Sequence, residues 1–294
     1  MLRNKSIIIL VLSMLLTCSF IGCLSKDDDN DRLVMIVTIP PQEEFIKAVG
    51  GDLVDITVMV PPGESPHTYA PVPSQMKKVA KAKAYFKVGS GVEFELNHLD
   101  ELKAQNGEMT IIDCSAGIDL LDSSGHDHDH EGDDPHIWMS PLKARTMVEN
   151  IYQGLIKGDN GHRDTYERNR DAYLSRLDTL HDDLVERFED HGDEMFLVYH
   201  PSFGYLAHEY DLEQIAIEED GKEPGPSGIA AIVEQAKGLN ISVIFVDPSF
   251  DQTRAETIAN ELDGKVMTLD PLAPDYIENL KRIADRLEQG LSKG

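Results

Sequence analysis

From Leu33 onward the chain alternates short apolar runs with stretches whose apolar residues recur at helical spacing. Leu33 to Thr38, Val54 to Val60, Ala84 to Val88 and Met109 to Asp113 read as strands. Between them, Gln42 to Val49, Ser74 to Ala82 and Phe94 to Gln105 read as helices. The order recurs near the other end. Strands are expected at Met195 to Tyr199, Leu212 to Ile217, Ser242 to Val246 and Lys265 to Leu269, with helices at Ser202 to His208, Ser227 to Lys237 and Thr253 to Leu262. Each half is then βαβαβαβ, an α/β pattern that calls for a mostly parallel sheet covered by helices.

Between the halves, Tyr166, Tyr173, Leu177, Leu180, Leu184 and Phe188 fall on one face of a helix running from Asp164 to Phe188. About 25 residues at 1.5 Å each make a strut of roughly 38 Å, stiffer than a loop. A shorter helix, Leu142 to Ile156, precedes it. The expected organisation is an N-terminal lobe over 33–161, a rigid linker helix within 162–191 and a C-terminal lobe over 192–294.

The segment ahead of Leu33 follows another logic. Arg3 and Lys5 precede a charge-free apolar run from Ser6 to Ser25, as in a signal sequence. Gly22-Cys23 closes that run like a lipobox, which makes 1–22 a lipoprotein signal peptide, Cys23 the lipidated residue and 23–32 a flexible tether. An uncleaved anchor and a plain secretory peptide are the alternatives, since about 20 apolar residues suffice to span a bilayer. Each of the three places the folded part outside the cytoplasm, and two hold it to the membrane. Cys18 and Cys23 belong to this segment, which leaves Cys114 without a disulfide partner in the folded part; a buried structural thiol is expected there.

The chain has 294 residues and a formal net charge of −26, which disfavours nucleic acid and other anionic partners and directs attention to cations. Carboxylates on a soluble surface would give the same number, so charge alone locates nothing.

Topology does. Parallel sheets bind ligands beyond the carboxyl ends of their strands. His67 lies in the loop after the second strand, His136 in the excursion after the fourth, His200 directly after the fifth and Asp270 directly after the last. Two from each half can face one another across a cleft, and three imidazoles with one carboxylate suit Zn²⁺. Any one of these histidines alone reads equally well as a cap or a core residue. His126, His128 and His130 alternate with acids in a glycine-bounded loop, 125–132, and read as accessory metal capture or as a polar loop without a role. His98, His162, His181, His191 and His208 read as solvated helix residues.

The segments Pro-Pro-Gly-Glu-Ser-Pro-His (61–67), Asp-Pro-His-Ile-Trp-Met-Ser-Pro (134–141), His-Pro-Ser-Phe-Gly-Tyr (200–205) and Thr-Leu-Asp-Pro-Leu (268–272) together resemble the metal-binding substrate-binding proteins of ABC importers. This is cluster A-I, or periplasmic solute-binding family 9, and the resemblance is strongest to its zinc-uptake group. It implies a two-lobed carrier, not an enzyme, that delivers Zn²⁺ as a transported ligand to a permease and its ATPase. By position it places ligands at His67, His136, His200 and Asp270. Manganese and iron members commonly carry a carboxylate where this chain has His200, so the histidine favours zinc. One departure is Pro66, where some zinc members have an acidic residue; Glu64 is then the nearest acid, as a second-shell group, and water is an alternative to Asp270. A manganese- or iron-binding member, a metal-dependent adhesin of the same family and an extracellular zinc hydrolase are rival readings. The hydrolase lacks a His-Glu-x-x-His signature.

Overall fold

The computed structural model describes residues 32–122, 132–218 and 224–291; the leader, Cys23 and His126, His128 and His130 lie outside them. Leu33–Gly294 forms one compact unit. It contains two parallel four-stranded sheets. The first joins β1 (Leu33–Val37), β2 (Val54–Val58), β3 (Ala84–Lys87) and β4 (Thr110–Asp113) in the order β2-β1-β3-β4. The second joins β5 (Met195–Val198), β6 (Glu213–Ala216), β7 (Val243–Val246) and β8 (Lys265–Thr268) in the order β6-β5-β7-β8.

Because the chain steps from β1 to one side and then returns to the other, each sheet has a switch point, between β1 and β3 in one and between β5 and β7 in the other. Loops leaving neighbouring strands diverge there and open a crevice.

Helices α1 (Pro40–Gly50), α2 (Pro73–Val79) and α3 (Glu93–Gln105) connect the first sheet; α6 (Gly204–Glu209), α7 (Pro226–Gly238) and α8 (Gln252–Glu261) connect the second. Prolines open α1, α2 and α7, where a missing backbone N–H costs nothing. The intervening α4 (Pro141–Gly158) starts at Ser140, whose hydroxyl accepts the Lys143 N–H at 3.1 Å. Gly154 on α4 lets it lie against β3 and β4: a Cβ there would come within 2.6 Å of the Phe86 ring. The long helix α5 (Arg163–Phe188) buries the face expected from sequence, Tyr166, Tyr173, Leu177, Leu180, Leu184 and Phe188. Among the described residues no helix is long and apolar enough to cross a membrane.

One element extends beyond the expected pattern. After β8 the chain forms α9 (Tyr276–Leu287), burying Tyr276, Ile277, Leu280, Ile283, Ala284 and Leu287. Tyr276 meets Phe45 of α1 edge-on at 4.7 Å between ring centroids, so the last helix returns to the first sheet's side. Apolar residues from both halves accordingly belong to one continuous core, with a smaller cluster behind the second sheet.

Polar bonds reinforce that union. The Tyr205 hydroxyl of α6 accepts the Leu121 N–H at 2.9 Å and donates to the Asp134 carbonyl at 3.1 Å, and the Trp138 indole donates to the Pro271 carbonyl at 2.8 Å. The Ser140 hydroxyl meets Glu209, which also receives His181 of α5 at 3.1 Å. His181 is therefore part of an internal polar junction instead of the solvated helix residue expected from sequence. Cys114 is buried and free, with burial raising its thiol pKa beyond the reactive range.

Truncating Leu180→Ala, which is 1% exposed, should cost about 2–5 kcal/mol and lower a single urea midpoint, whereas Leu96→Ala, at 73% exposed, should leave it within about 0.5 kcal/mol. Two separated transitions in Leu180→Ala would contradict a shared core.

Candidate metal centre

The three histidines expected from strand-end topology converge. One nitrogen from each of His67, His136 and His200 lies within 4.8 Å of the other two. His67 and His200 approach most closely among the recorded contacts, with Nε2 to Nε2 at 3.2 Å. A tetrahedral zinc with Zn–N bonds of about 2.0–2.1 Å places its nitrogens about 3.3–3.4 Å apart. That pair already has such a spacing; the wider pairs require a small contraction.

Each ring is fixed from behind. His67 Nδ1 bonds Glu93 Oε1 at 2.9 Å, His136 Nδ1 bonds Asp134 Oδ1 at 2.7 Å, and His200 Nδ1 bonds Glu218 Oε2 at 2.9 Å. A neutral imidazole that donates through Nδ1 keeps its lone pair on Nε2, the atom a metal takes. The carboxylates thus choose both tautomer and direction. Asp134 is itself held in place: its Oδ1 also accepts the His136 N–H at 2.8 Å, and its Oδ2 lies where a Cβ on Gly204 would fall. The ring of Phe250 stacks on His200, 5.1 Å between centroids and 23° from parallel, while Trp138 meets His136 edge-on at 5.3 Å.

The electrostatics divide the rings. Burial alone would lower the pKa of His67, but the Glu93 hydrogen bond and the charges of Glu93, Glu218 and Asp247 together raise it. Burial would likewise raise Glu93, yet the bond and charge of His67 hold it below the usual carboxylate range. For His200, burial and the neighbouring imidazoles outweigh Glu218 and depress its pKa. When His67 is protonated it can donate through Nε2 to neutral His200, which matches the short contact between the two nitrogens.

The cavity is lined by these histidines, Ser65, Trp138, Ser202, Asp247, Phe250 and their neighbours. Asp270 does not join the histidine cluster. Its Oδ1 accepts the Leu272 N–H at 2.8 Å, and its carbonyl accepts from Asn279 at 2.7 Å. Glu64, expected as the nearby acid, is exposed, and Glu93 meets His67 in its place. Sequence reasoning did not identify Glu93 or Glu218. Asp134, two residues before His136, carried the clearest local signal.

Two parallel sheets joined by a shared core, with a converging imidazole cluster at their strand ends, define a two-lobed α/β substrate-binding protein for a metal ion. More particularly, the chain belongs to the zinc-uptake complex component A periplasmic family, whose model matches residues 35–290. It is similar to the high-affinity zinc uptake system protein ZnuA of Bacillus subtilis (strain 168), with 29% identity over 289 residues, covering 91% of this chain and 90% of that one. A crystal structure of ZnuA superposes with a TM-score of 0.83 at 37% identity, covering 88% of this chain and 99% of that one. Zn(II)-bound AdcA from Streptococcus pneumoniae superposes with a TM-score of 0.74 at 27% identity, covering 88% of this chain but 57% of AdcA.

Removing a supporting carboxylate without removing a ring separates the two layers of the site. Asp134→Asn and Glu218→Gln should each weaken Zn²⁺ binding by roughly 10- to 100-fold, measured by competition with a chromophoric chelator. Wild-type affinity in both variants would mean that the hydrogen bonds do not orient the rings.

Proposed function

We propose that this protein captures Zn²⁺ outside the cytoplasm and delivers it to an ABC-type permease and its ATPase for zinc uptake, with no catalytic step of its own. The observation that carries the reading is the set of three imidazoles, each tied at Nδ1 to its own carboxylate and converging on one point. Nitrogen donors suit zinc; an oxygen-rich set would suit manganese. His67, His136 and His200 are the proposed protein ligands, with Asp270 the carboxylate expected from sequence. Its relatives, a zinc uptake protein and a zinc-binding lipoprotein, support the cargo and the kind of partner. Cys23 is proposed as a lipid anchor on the outer face of the cytoplasmic membrane, and His126, His128 and His130 as accessory capture groups; these residues lie outside the described structure.

Capture is an exchange of a proton for a metal. Because the pKa of His67 is raised, it carries its proton closer to neutrality than a free imidazole does and must release it to ligate. The depressed pKa of His200 keeps that ring neutral and available. Acid therefore opposes binding through His67 first. Zinc affinity should fall as the pH drops through about 7 to 5. Glu93→Gln removes what raises His67, so the fall should begin at lower pH. Competition titrations at several pH values check both, and affinity constant across that range would sink the three-histidine site.

His200→Ala tests the reading most directly. It should abolish tight binding of Zn²⁺, with the metal-free protein still folded by circular dichroism, and a direct Zn²⁺/Mn²⁺ competition on the wild type should favour zinc.

A further inference from the structure

We propose that Glu95, a buried carboxylate on α3, is a positioning residue for the zinc site: it locks the first turn of that helix to the ends of β1 and β3 and so holds Glu93, two residues earlier, where it orients His67. The inference rests on the zinc reading above and deepens it.

Of the three acids behind the rings, Glu93 is held differently from the other two. Asp134 and Glu218 sit on backbone that is itself bonded, with the Asp134 N–H donating to the Leu121 carbonyl at 2.7 Å and the Glu218 N–H to the Tyr199 carbonyl at 2.9 Å. Glu93 is the first residue of α3, a helix whose start has no side-chain cap. Its Oε1 meets His67, while its Oε2 is buried with no hydrogen-bond partner among the described residues. His67 arrives on the loop after β2, so a loop side chain meets a side chain at a helix end. Where Glu93 stands is therefore decided by what fixes that helix end.

Glu95 does this. At about 100° per residue, positions 93 and 95 point to nearly opposite sides of a helix, here one toward His67 and the other toward the sheet. Glu95 is 4% exposed. Its Oε1 accepts the Val88 N–H at 2.6 Å and meets the Thr38 hydroxyl, and its Oε2 accepts the Gly89 N–H at 2.9 Å. Thr38 directly follows β1 and Val88 directly follows β3, so the carboxylate spans the switch point of the first sheet. Held in this way, α3 cannot roll about its axis without breaking bonds to both strand ends, which fixes the side on which it presents Glu93.

The anchor is itself braced. The Thr38 N–H donates to Gln42 Oε1 at 3.0 Å, Gln42 Nε2 donates to the Phe86 carbonyl at 3.1 Å, and the Tyr85 hydroxyl lies 2.7 Å from the Thr38 oxygen. Gly89, at φ 93°, is the permissive point of the loop, and its bond to Glu95 removes that freedom. A buried carboxylate is costly unless its oxygens are bonded, and here Thr38, Val88 and Gly89 bond them. Burial raises the Glu95 pKa, and the same three groups oppose the rise. Glutamine is not an equivalent: one of its two terminal atoms is a donor, so either the Val88 or the Gly89 N–H loses its acceptor.

Competition titrations with Zn²⁺ on Glu95→Gln, Glu93→Gln and the double variant test the assignment, at about pH 8 so that the rings are neutral throughout. Glu95→Gln alone should weaken zinc by roughly tenfold, the low end of what loss of an outer-shell partner costs. In the Glu93→Gln background the same change should cost less than about twofold, because the carboxylate through which it acts is already gone. In the metal-free protein, long-range ¹H–¹⁵N correlation spectra should show His67 of Glu95→Gln moving from the Nδ1–H toward the Nε2–H tautomer while His200 keeps its own. General loosening of the fold would not confine that change to one ring. Wild-type affinity in Glu95→Gln, the full loss repeated in the Glu93→Gln background, or an unaltered His67 tautomer overturns the proposal. If Glu95→Gln does not fold, Thr38→Val, which removes the hydroxyl and leaves both amide bonds, replaces it in the same cycle, with a smaller loss expected and the same outcomes overturning the proposal. Wild-type affinity in His200→Ala would instead overturn the histidine site on which it rests.

Discussion

Two imidazole nitrogens held 3.2 Å apart, each turned inward by a carboxylate on its far side, set the terms for this molecule. Lone pairs at that separation repel unless a positive charge stands between them. The protein does not relieve the conflict by rotating the rings, because Glu93 and Glu218 occupy the opposite nitrogens and Phe250 covers one face of His200. The arrangement therefore favours a positive charge between the rings, and the raised pKa of His67 makes a proton one candidate for it. Preorganisation of this kind lowers the ordering cost of binding.

Such a site requires support that does not drift, and the fold provides it by merging its halves. His136 belongs by sequence to the first half, yet its segment is held by the second: Tyr205 bonds Leu121 and Asp134 ahead of it, and Trp138 beyond it reaches Pro271. The Ser140, Glu209 and His181 junction ties the same segment to the long helix. Apolar residues of both halves share one core, and α9 crosses back to Phe45. A shared core and a continuous helix permit small adjustments and resist wide hinge opening.

The pattern of apolar residues made the two sheets and the buried face of α5 legible, and strand-end topology made the three histidines legible, because both depend on local period and chain order. The supporting carboxylates depend on neither. Glu93 is 26 positions from His67 and Glu218 is 18 from His200, and among 53 acids no single one stands out. The α9 helix was legible in the spacing of Tyr276, Leu280, Ile283 and Leu287, but it lies outside the repeated unit that organised the reading. Asp247, which lines the cavity, directly follows its strand as Asp270 follows the last one, and a proline comes after each as after His200; only three-dimensional placement separates one aspartate from the other.

The overall acidity and the site then act on different scales. A net charge of −26 attracts cations of every kind, but salt screens exposed charges beyond about 8–10 Å, so this field concentrates ions without choosing among them. At the proposed site the donors are imidazole nitrogens, and the negative charge is placed behind them, on Glu93, Asp134 and Glu218. Carboxylates presented directly would welcome calcium, magnesium and manganese, which favour oxygen. Carboxylates acting through imidazole make the nitrogens more basic while keeping oxygen out of most of the first shell. An acidic protein can thus build a nitrogen site by setting its acids one bond network back, so that their charge strengthens the grip on a dication without deciding which dication fits.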